Sequence, residues 1–223
     1  MENRHNLMGG KKDEKEALID LETHRQYLIE KCNYQNEKNW VASVASMNRI
    51  SLSKVLFYNE IISKIIDIPG VITELGVQWG ATTSLLYNLT SIHEPFNFRR
   101  RIVGFDTFTG FPSSSISSVE KKEGWKVNDL STVDNIQEVV DKCLTSHQAF
   151  SAMKHMDRHE FVRGDVVKTL PAWLEKNEHE TIAMCIFDMD LGIPTSEALK
   201  SIMPRCQKGT ILVFDEYSHP RFR

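Results

Sequence analysis

Two stretches near the start of the chain repeat apolar residues at intervals of about three and four, the spacing of one face of an α-helix. The first runs from residue 14 to about residue 32, and the second covers residues 50–66 and stops at a Pro-Gly pair. This pattern predicts an N-terminal helical cap over residues 14–66. Residues 1–13 are charged and show no period, which predicts a mobile tail.

After residue 67, short and continuous apolar runs alternate with helical stretches. Such runs are typical of strands buried on both faces, and their alternation with helices builds parallel crossover units. We therefore predict a doubly wound, mostly parallel α/β sheet in residues 67–223. The predicted strands are Val71–Leu75, Arg101–Phe105, Glu160–Arg163, Thr181–Phe187 and Thr210–Phe214. The predicted helices lie at about 80–90, 134–155, 167–177 and 194–204.

The composition, 41% hydrophobic and 26% charged, is that of a folded globular protein, and a net charge of −3 provides no basic field for nucleic acid or an anionic bilayer. No run approaches the roughly 18 apolar residues of a membrane span, and the charged N-terminus lacks the apolar core of a signal peptide. The four cysteines show no zinc-site spacing. We expect a cytoplasmic protein that binds neither nucleic acid nor a membrane.

Every predicted strand ends in, or is followed by, an acidic residue. Because the carboxyl ends of parallel strands meet at one edge, where such sheets bind ligands, this shared position indicates a functional site. Any single acid could instead be a solvated loop residue or a helix cap. The strand-end acids are Glu74, Asp106, Asp165, Asp188, Asp190, Asp215 and Glu216.

The first predicted strand leads into a loop with two glycines four positions apart, at the start of a helix. The middle glycine of a dinucleotide fingerprint is missing, so a pyrophosphate would be crowded there. A smaller group such as an amino acid fits better, with its carboxylate on the helix N-terminal N–H groups and its ammonium near an acid. The predicted contacts are Glu74, Gly76, Gly80 and Thr82.

Asp106, at the end of the second strand, is placed to accept hydrogen bonds from the two hydroxyls of a ribose. An amino acid and a ribose together indicate S-adenosylmethionine as the cofactor. Asp165, after the third strand, would then lie near the adenine amino group. The alternative for Asp165 is an N-cap of the helix that follows it.

Several segments carry a resemblance to one family, and the most specific of them has the form G-F-D-x-F-x-G-x-P. They are residues 68–76 with Trp79-Gly80, residues 103–112, Gly164-Asp165 with Thr169-Leu170-Pro171, residues 188–191 and residues 214–217. Over about residues 50–217 the chain resembles the macrocin O-methyltransferase (TylF-like) family of class I methyltransferases. The resemblance implies a Rossmann-like, S-adenosylmethionine-binding domain in residues 67–223. Members of the family depend on S-adenosylmethionine and a divalent metal, and many methylate sugar hydroxyls of natural products.

The resemblance also implies roles for the acids after the fourth and fifth strands. Asp188, Asp215 and Glu216 would hold Mg²⁺ or another divalent cation, which prefers oxygen ligands. Several carboxylates this close cannot all stay ionised unless a cation joins them. By the family pattern, Asp190 would be the base that takes the proton of the acceptor hydroxyl as its oxygen attacks the sulfonium methyl group.

Three departures from the family pattern concern the acceptor side and the sheet. Glu216 stands where the family commonly has aspartate, and residues 192–196 replace a segment with a tyrosine and an acid, which alters the acceptor pocket. The sequence also ends just after the fifth strand, whereas a complete sheet of this type has two more. We therefore expect a chain that lacks the last strands.

Two further segments suggest a lid and an interface. The loop from Phe108 to about Ser131 is long and has no period, which predicts a lid over cofactor and acceptor, with an unstructured loop as the alternative. The N-terminal helices carry more apolar residues than one face needs, which predicts a homo-oligomer unless they pack on their own sheet. These residues include Trp40, Val41, Val44 and Met47.

Taken together, the motifs predict a metal-dependent O-methyltransferase that acts on a hydroxyl of a sugar or a sugar-containing metabolite. A methyltransferase for a non-sugar small molecule is the first alternative, because acceptor pockets lie in variable loops. A non-catalytic nucleotide-binding or assembly subunit is the second alternative.

Overall fold

A computed structural model describes residues 14–31 and 38–215 of the chain. The chain divides into two compact units, Met1–Leu56 and Phe57–Arg223. The first contains helices α1 (Glu14–Lys31) and α2 (Lys38–Ala45), and helix α3 (Arg49–Ile65) crosses from the first unit into the second. The sequence pattern did not separate α2 from its neighbours, and the predicted tail lies outside the described residues.

The second unit is built around five strands, and every strand pair in the described part of the sheet is parallel. The strand order is β3-β2-β1-β4-β5. This arrangement confirms the predicted doubly wound α/β sheet. The strands are β1 (Val71–Leu75), β2 (Ile102–Asp106), β3 (His159–Arg163), β4 (Ile182–Phe187) and β5 (Cys206–Phe214).

The strands agree with the prediction to within one residue except at the start of β5, which begins at Cys206 and not at Thr210. The added residues extend the strand past an irregularity in the β4–β5 pairing, where the register shifts between Ile182 and Met184. Apolar periodicity missed them because this end of the strand is partly exposed and polar.

Five further α-helices lie in the described part of this unit, and one of them corrects a prediction. They are α4 (Ala81–His93), α5 (Ser118–Glu123), α6 (Ile136–Gln148), α7 (Val166–Lys176) and α8 (Gly192–Ile202). The helix predicted to reach residue 155 ends at Gln148. There the Gln148 side chain donates a hydrogen bond to the carbonyl of Lys154 at 3.0 Å, which folds the following segment back onto the helix end.

Helices cover both faces of the sheet. Ile72 of β1 faces a core that includes Ile62 of α3 and Leu86 of α4. Its neighbour Val71 faces the opposite core, with Leu170 of α7 among others. Neighbouring strand residues point to opposite faces, so the apolar runs of the sequence supply both cores.

The strand order reverses direction between β1 and β4, because β2 and β3 lie on one side of β1 and β4 and β5 on the other. In sheets of this kind the loops at the carboxyl ends separate at this switch point and leave a crevice that binds ligands. The site is therefore expected between the loops after β1 and β4. None of the helices in the described residues is long and apolar enough to cross a membrane.

The opposite edge of the sheet is fixed by a buried arginine. Arg100 is 2% exposed and donates hydrogen bonds to Glu94 at 2.7 and 3.1 Å. It also donates to the carbonyls of Ile65, Ile68 and Gly70 at 2.6 to 2.9 Å. One side chain thus joins the end of α3, the start of β1 and the segment after α4, at the edge of the sheet opposite the strand-end acids.

Candidate functional site

The loop after β1 touches the end of β4 at the switch point. The N–H of Gly76 donates to the carbonyl of Phe105, and the N–H of Asp188 donates to the carbonyl of Leu75, both at 2.9 Å. Gly76 has a φ of +99°, and a Cβ atom on it would lie 1.8 Å from the carbonyl oxygen of Asp188. No other residue fits here, so glycine sets the approach of the two loops.

Strained backbone is concentrated at this edge. Gln78, Phe108 and Asp190 have φ values of 48°, 56° and 56°, in the left-handed region that residues with a side chain rarely adopt. They follow β1, β2 and β4 respectively. Such strain persists only where the surroundings hold it, and it is common at active sites.

Asp106, the predicted ribose ligand, already accepts three backbone hydrogen bonds. Its Oδ2 accepts from Val77 at 2.7 Å and Gln78 at 2.8 Å, and its Oδ1 accepts from Phe108 at 2.6 Å. The carboxylate therefore fixes the loops after β1 and β2. A carboxylate offers about four acceptor positions, so one remains on Oδ1. Contact with a ribose stays a prediction.

Glu74 is buried in β1, 1% exposed, and accepts a hydrogen bond from the hydroxyl of Thr83. Burial raises the pKa of Glu74 from 4.5 to about 8; the hydrogen bond from Thr83 opposes the rise, and the charges of Asp188 and Asp106 add to it. A cation beside this carboxyl would favour its ionised form. The predicted contact with an ammonium group is consistent with this environment.

Tyr58 of α3 is a candidate site residue that the sequence analysis missed. It is 3% exposed, and burial raises the pKa of its hydroxyl, with the charges of Glu74, Asp215 and Asp188 adding to the effect and a hydrogen bond with Thr82 opposing it. Tyr58 thus lies within electrostatic reach of three predicted site acids and contacts a fourth predicted site residue. Its spacing from Ile61, Ile62 and Ile65 on one helix face was the available signal.

Asp188 and Asp215 follow paired strand residues, since Phe187 of β4 lies opposite Phe214 of β5. The two phenyl rings stack at 4.6 Å, and the N–H of Asp215 donates to the carbonyl of Phe187 at 3.1 Å. The two aspartates therefore stand at adjacent strand ends, with Asp190 two residues beyond Asp188. Glu216 lies outside the described residues. Within residues 14–31 and 38–215, no group of three or more His, Cys, Asp and Glu side chains is arranged to hold a metal ion.

Asp165 has the role that its alternative predicted. Its Oδ1 accepts from the N–H of Val167 at 3.1 Å and so caps α7. Its Oδ2 accepts from the hydroxyl of Ser114 at 2.9 Å. These two hydrogen bonds neither support nor exclude the predicted contact between Asp165 and adenine, which stays a prediction.

The predicted lid, residues 108–131, is a folded segment and not an unstructured loop. The rings of Phe111 and Trp125 meet edge to face at 5.4 Å, and backbone hydrogen bonds join Phe111 to Asn128 and Asp129. Ile116 is 4% exposed. The short helix α5 lies inside this segment and was not predicted, because it is brief and mostly polar.

The sequence profile of the macrocin O-methyltransferase (TylF) family matches residues 12–222. The chain belongs to this family. Among solved structures, the calicheamicin methyltransferase CalS11 is 30% identical with a TM-score of 0.83, over 99% of this chain and 86% of that one. An apo structure of CalS11, described as a TDP-rhamnose 3′-O-methyltransferase, is 29% identical with a TM-score of 0.76, over 93% and 80%. No curated protein matches the chain.

Membership in the TylF family confirms three predictions together: the family, the methyltransferase sheet and the enzymatic activity. The protein is an S-adenosylmethionine-dependent methyltransferase of the O-methyltransferase type.

Proposed function

We propose that this TylF-family enzyme transfers the methyl group of S-adenosylmethionine to a hydroxyl of a sugar or sugar-containing metabolite with the help of a divalent cation. The observation that supports the proposal most is that Asp188 and Asp215 stand at the carboxyl ends of the paired strands β4 and β5, beside the switch point where the N–H of Asp188 donates to the carbonyl of Leu75. CalS11, a protein of the same fold, is described as acting on a nucleotide sugar.

For the cofactor, we propose that the amino-acid part lies in the loop after β1. Its carboxylate would meet the N–H groups at the start of α4, and its ammonium would meet Glu74. Gly76, Gly80 and Thr82 line this loop. The free acceptor position of Asp106 would serve the ribose, and Asp165 would lie beside the adenine.

For the metal, the donors that the structure describes have the right chemistry. Asp188 and Asp215 present hard oxygen ligands at adjacent strand ends, and we propose Glu216 as the third ligand. A bound Mg²⁺ or similar cation would offset their charges and lower the pKa of an acceptor hydroxyl.

In the proposed reaction, Asp190 accepts the proton of the acceptor hydroxyl. The hydroxyl oxygen then bonds to the methyl carbon while the sulfonium sulfur takes the electron pair of the broken bond and leaves as S-adenosylhomocysteine. Methyl transfer of this kind depends chiefly on alignment of oxygen, carbon and sulfur. Asp190 has a φ of 56° and lies two residues beyond Asp188, the proposed metal ligand that follows β4.

A methyl-transfer assay tests the proposal. Nucleotide sugars, including TDP-rhamnose, and a non-sugar diol such as catechol are offered with S-adenosylmethionine, and methylated products are detected by mass spectrometry. We expect methylation of a sugar that stops on addition of a chelator and returns with Mg²⁺. Asp215→Ala should abolish metal-dependent turnover without weakening S-adenosylhomocysteine binding, and Asp190→Asn should lower kcat by at least about 100-fold.

Glu175→Gln provides a matched control, because this exposed acid lies near the end of α7, away from the strand ends. It should behave like the wild type. Turnover that is insensitive to the chelator would overturn the metal assignment. Methylation of the diol with no sugar accepted would favour the non-sugar alternative.

We also propose that the chain forms a homo-oligomer through its first unit. Trp40 is 69% exposed and Val44 is 44% exposed, so this unit presents large apolar side chains to its surroundings. Native mass spectrometry of the purified protein tests this, and a monomer at micromolar concentration would overturn it.

A further inference from the structure

The lid is joined by side-chain hydrogen bonds to the ends of two strands that are three places apart in the sheet. On one side, the Ser114 hydroxyl donates to Asp165, just after β3, at 2.9 Å. On the other side, the N–H of Gly192, the first residue of α8 in the connection that follows β4, donates to Oε1 of Glu120 at 2.7 Å. In the sheet, β2 and β1 lie between β3 and β4, so the two anchor points belong to loops on either side of those two strands. The lid therefore crosses the crevice at the switch point.

Glu120 is held in one orientation by its own helix. Its Oε2 accepts from the N–H of Ser117 at 2.7 Å, while the Ser117 hydroxyl accepts from the N–H of Glu120 at 3.2 Å, which forms a capping box. Partial burial acts to raise the pKa of Glu120, but the hydrogen bonds from Gly192 and Ser117 outweigh it and the pKa is lowered. The carboxylate that faces α8 is thus ionised and oriented in advance.

The start of α8 has no cap from its own sequence. The cap position is Leu191, whose side chain makes no capping hydrogen bond. The first N–H groups of a helix lack partners within the helix and carry partial positive charge. Glu120, from a distant part of the chain, supplies an acceptor and a negative charge to this end of the helix. The residue that it binds, Gly192, lies two residues after the strained Asp190.

We propose that Glu120 is a positioning residue for methyl transfer, which latches the lid to the start of α8 and fixes the backbone that carries Asp190. The inference rests on the proposed role of Asp190 as the base. While the bond between Glu120 and Gly192 is made, the lid stays across the crevice and retains the cofactor product. When the bond is broken, the lid and residues 190–192 are both released.

The latch is tested first without any acceptor, by amide hydrogen exchange and by the rate at which S-adenosylhomocysteine leaves the enzyme. In Glu120→Ala, we expect the Gly192 amide to exchange and the product to dissociate about tenfold faster than in the wild type. In Glu120→Gln, both rates should be close to those of the wild type, because the amide oxygen of glutamine can still accept a hydrogen bond from Gly192. Glu123→Ala, at an exposed acid on the same helix, is the control. Equal behaviour of Glu120→Ala and Glu123→Ala would overturn the latch.

The positioning role is tested with whichever acceptor the methyl-transfer assay identifies. Glu120→Ala should lower kcat by at least about tenfold with little change in the KM of the acceptor. Combined with Asp190→Asn, it should add no further loss, because both act through the same group. If the fold-losses in kcat of the two single variants instead multiply in the double variant, Glu120 does not act through Asp190, and the positioning role is overturned. If Asp190→Asn keeps wild-type turnover, the proposed base fails, while hydrogen exchange and product release still decide whether the latch exists.

Discussion

Raising the pH from 5 to 8 should destabilise the folded protein through Glu74. The pKa of this buried carboxyl is about 8 in the folded protein, against an ordinary value of 4.5, and burial is the main cause. Between these values the folded state binds more protons than the unfolded state, so the free energy of unfolding falls as the pH rises. The stabilisation is complete below pH 4.5, falls progressively as the pH rises from there, and is fully lost above about pH 8.

The magnitude follows from the two pKa values. One pKa unit corresponds to about 1.4 kcal/mol, so the free energy of unfolding should fall by roughly 3 to 4 kcal/mol between pH 5 and 8. This is a large part of the roughly 5 to 15 kcal/mol that stabilises a typical domain. Glu74→Gln keeps the shape of the protonated side chain and an acceptor for Thr83, but it cannot ionise.

Urea unfolding of the wild type and Glu74→Gln, followed by circular dichroism at several pH values, measures the effect. EDTA is present because a divalent cation would change the charge near Asp188. The two proteins should have similar unfolding free energies at pH 5, and the variant should be more stable by roughly 3 to 4 kcal/mol at pH 8. Contributions from groups that titrate equally in both proteins cancel in the difference between their unfolding free energies. A difference that stays constant with pH would refute the reasoning, because Glu74 would then be ionised throughout.

Three further variants test other parts of the fold and the site. Gly76→Ala places a Cβ atom 1.8 Å from the backbone of Asp188 at a φ of +99°, and should lower the unfolding free energy by at least about 2 kcal/mol and weaken S-adenosylhomocysteine binding in calorimetry. Arg100→Met leaves Glu94 buried without its partner and should cost about 3 to 5 kcal/mol in urea unfolding, with the affinity for S-adenosylhomocysteine unchanged in what remains folded. Tyr58→Phe removes one hydroxyl from the site and should cost about 1 kcal/mol of stability, while S-adenosylhomocysteine binding weakens several-fold. Unchanged binding in Tyr58→Phe would remove this residue from the site.

Apolar runs located the strands well because the central strands β1, β2 and β4 are buried almost throughout, between cores on both faces of the sheet. Val71–Leu75 is buried throughout, and its bounds agree with the prediction. Helix α5 has no such signal, since none of its residues is buried and its capping box stabilises it locally. The end of α6 was also hidden, because it depends on a hydrogen bond from Gln148 to a carbonyl that only the folded chain brings close.

Strand-end position placed Asp106, Asp165, Asp188 and Asp215 at or after the carboxyl ends of parallel strands, as the structure has them, but it could not show what each carboxylate contacts. Tyr58 was missed for a related reason. It reaches the site only because α3 runs toward the start of β1, so that a residue seven positions before Ile65 lies about 10 Å further toward the carboxyl edge. Glu120 depends in the same way on contact between segments that are distant in sequence.

Asp106 shows why the partners of a carboxylate matter for its test. Asp106→Ala should abolish S-adenosylhomocysteine binding if the carboxylate holds the ribose, but the same loss would follow from release of Val77 and Gln78, whose N–H groups it also fixes. The two causes separate when a cofactor analogue without ribose hydroxyls is compared in both proteins. If Asp106 holds those hydroxyls, their removal weakens binding to the wild type and not to the variant. If it only supports the loop, their removal weakens binding equally in both, and the ribose contact must be assigned elsewhere.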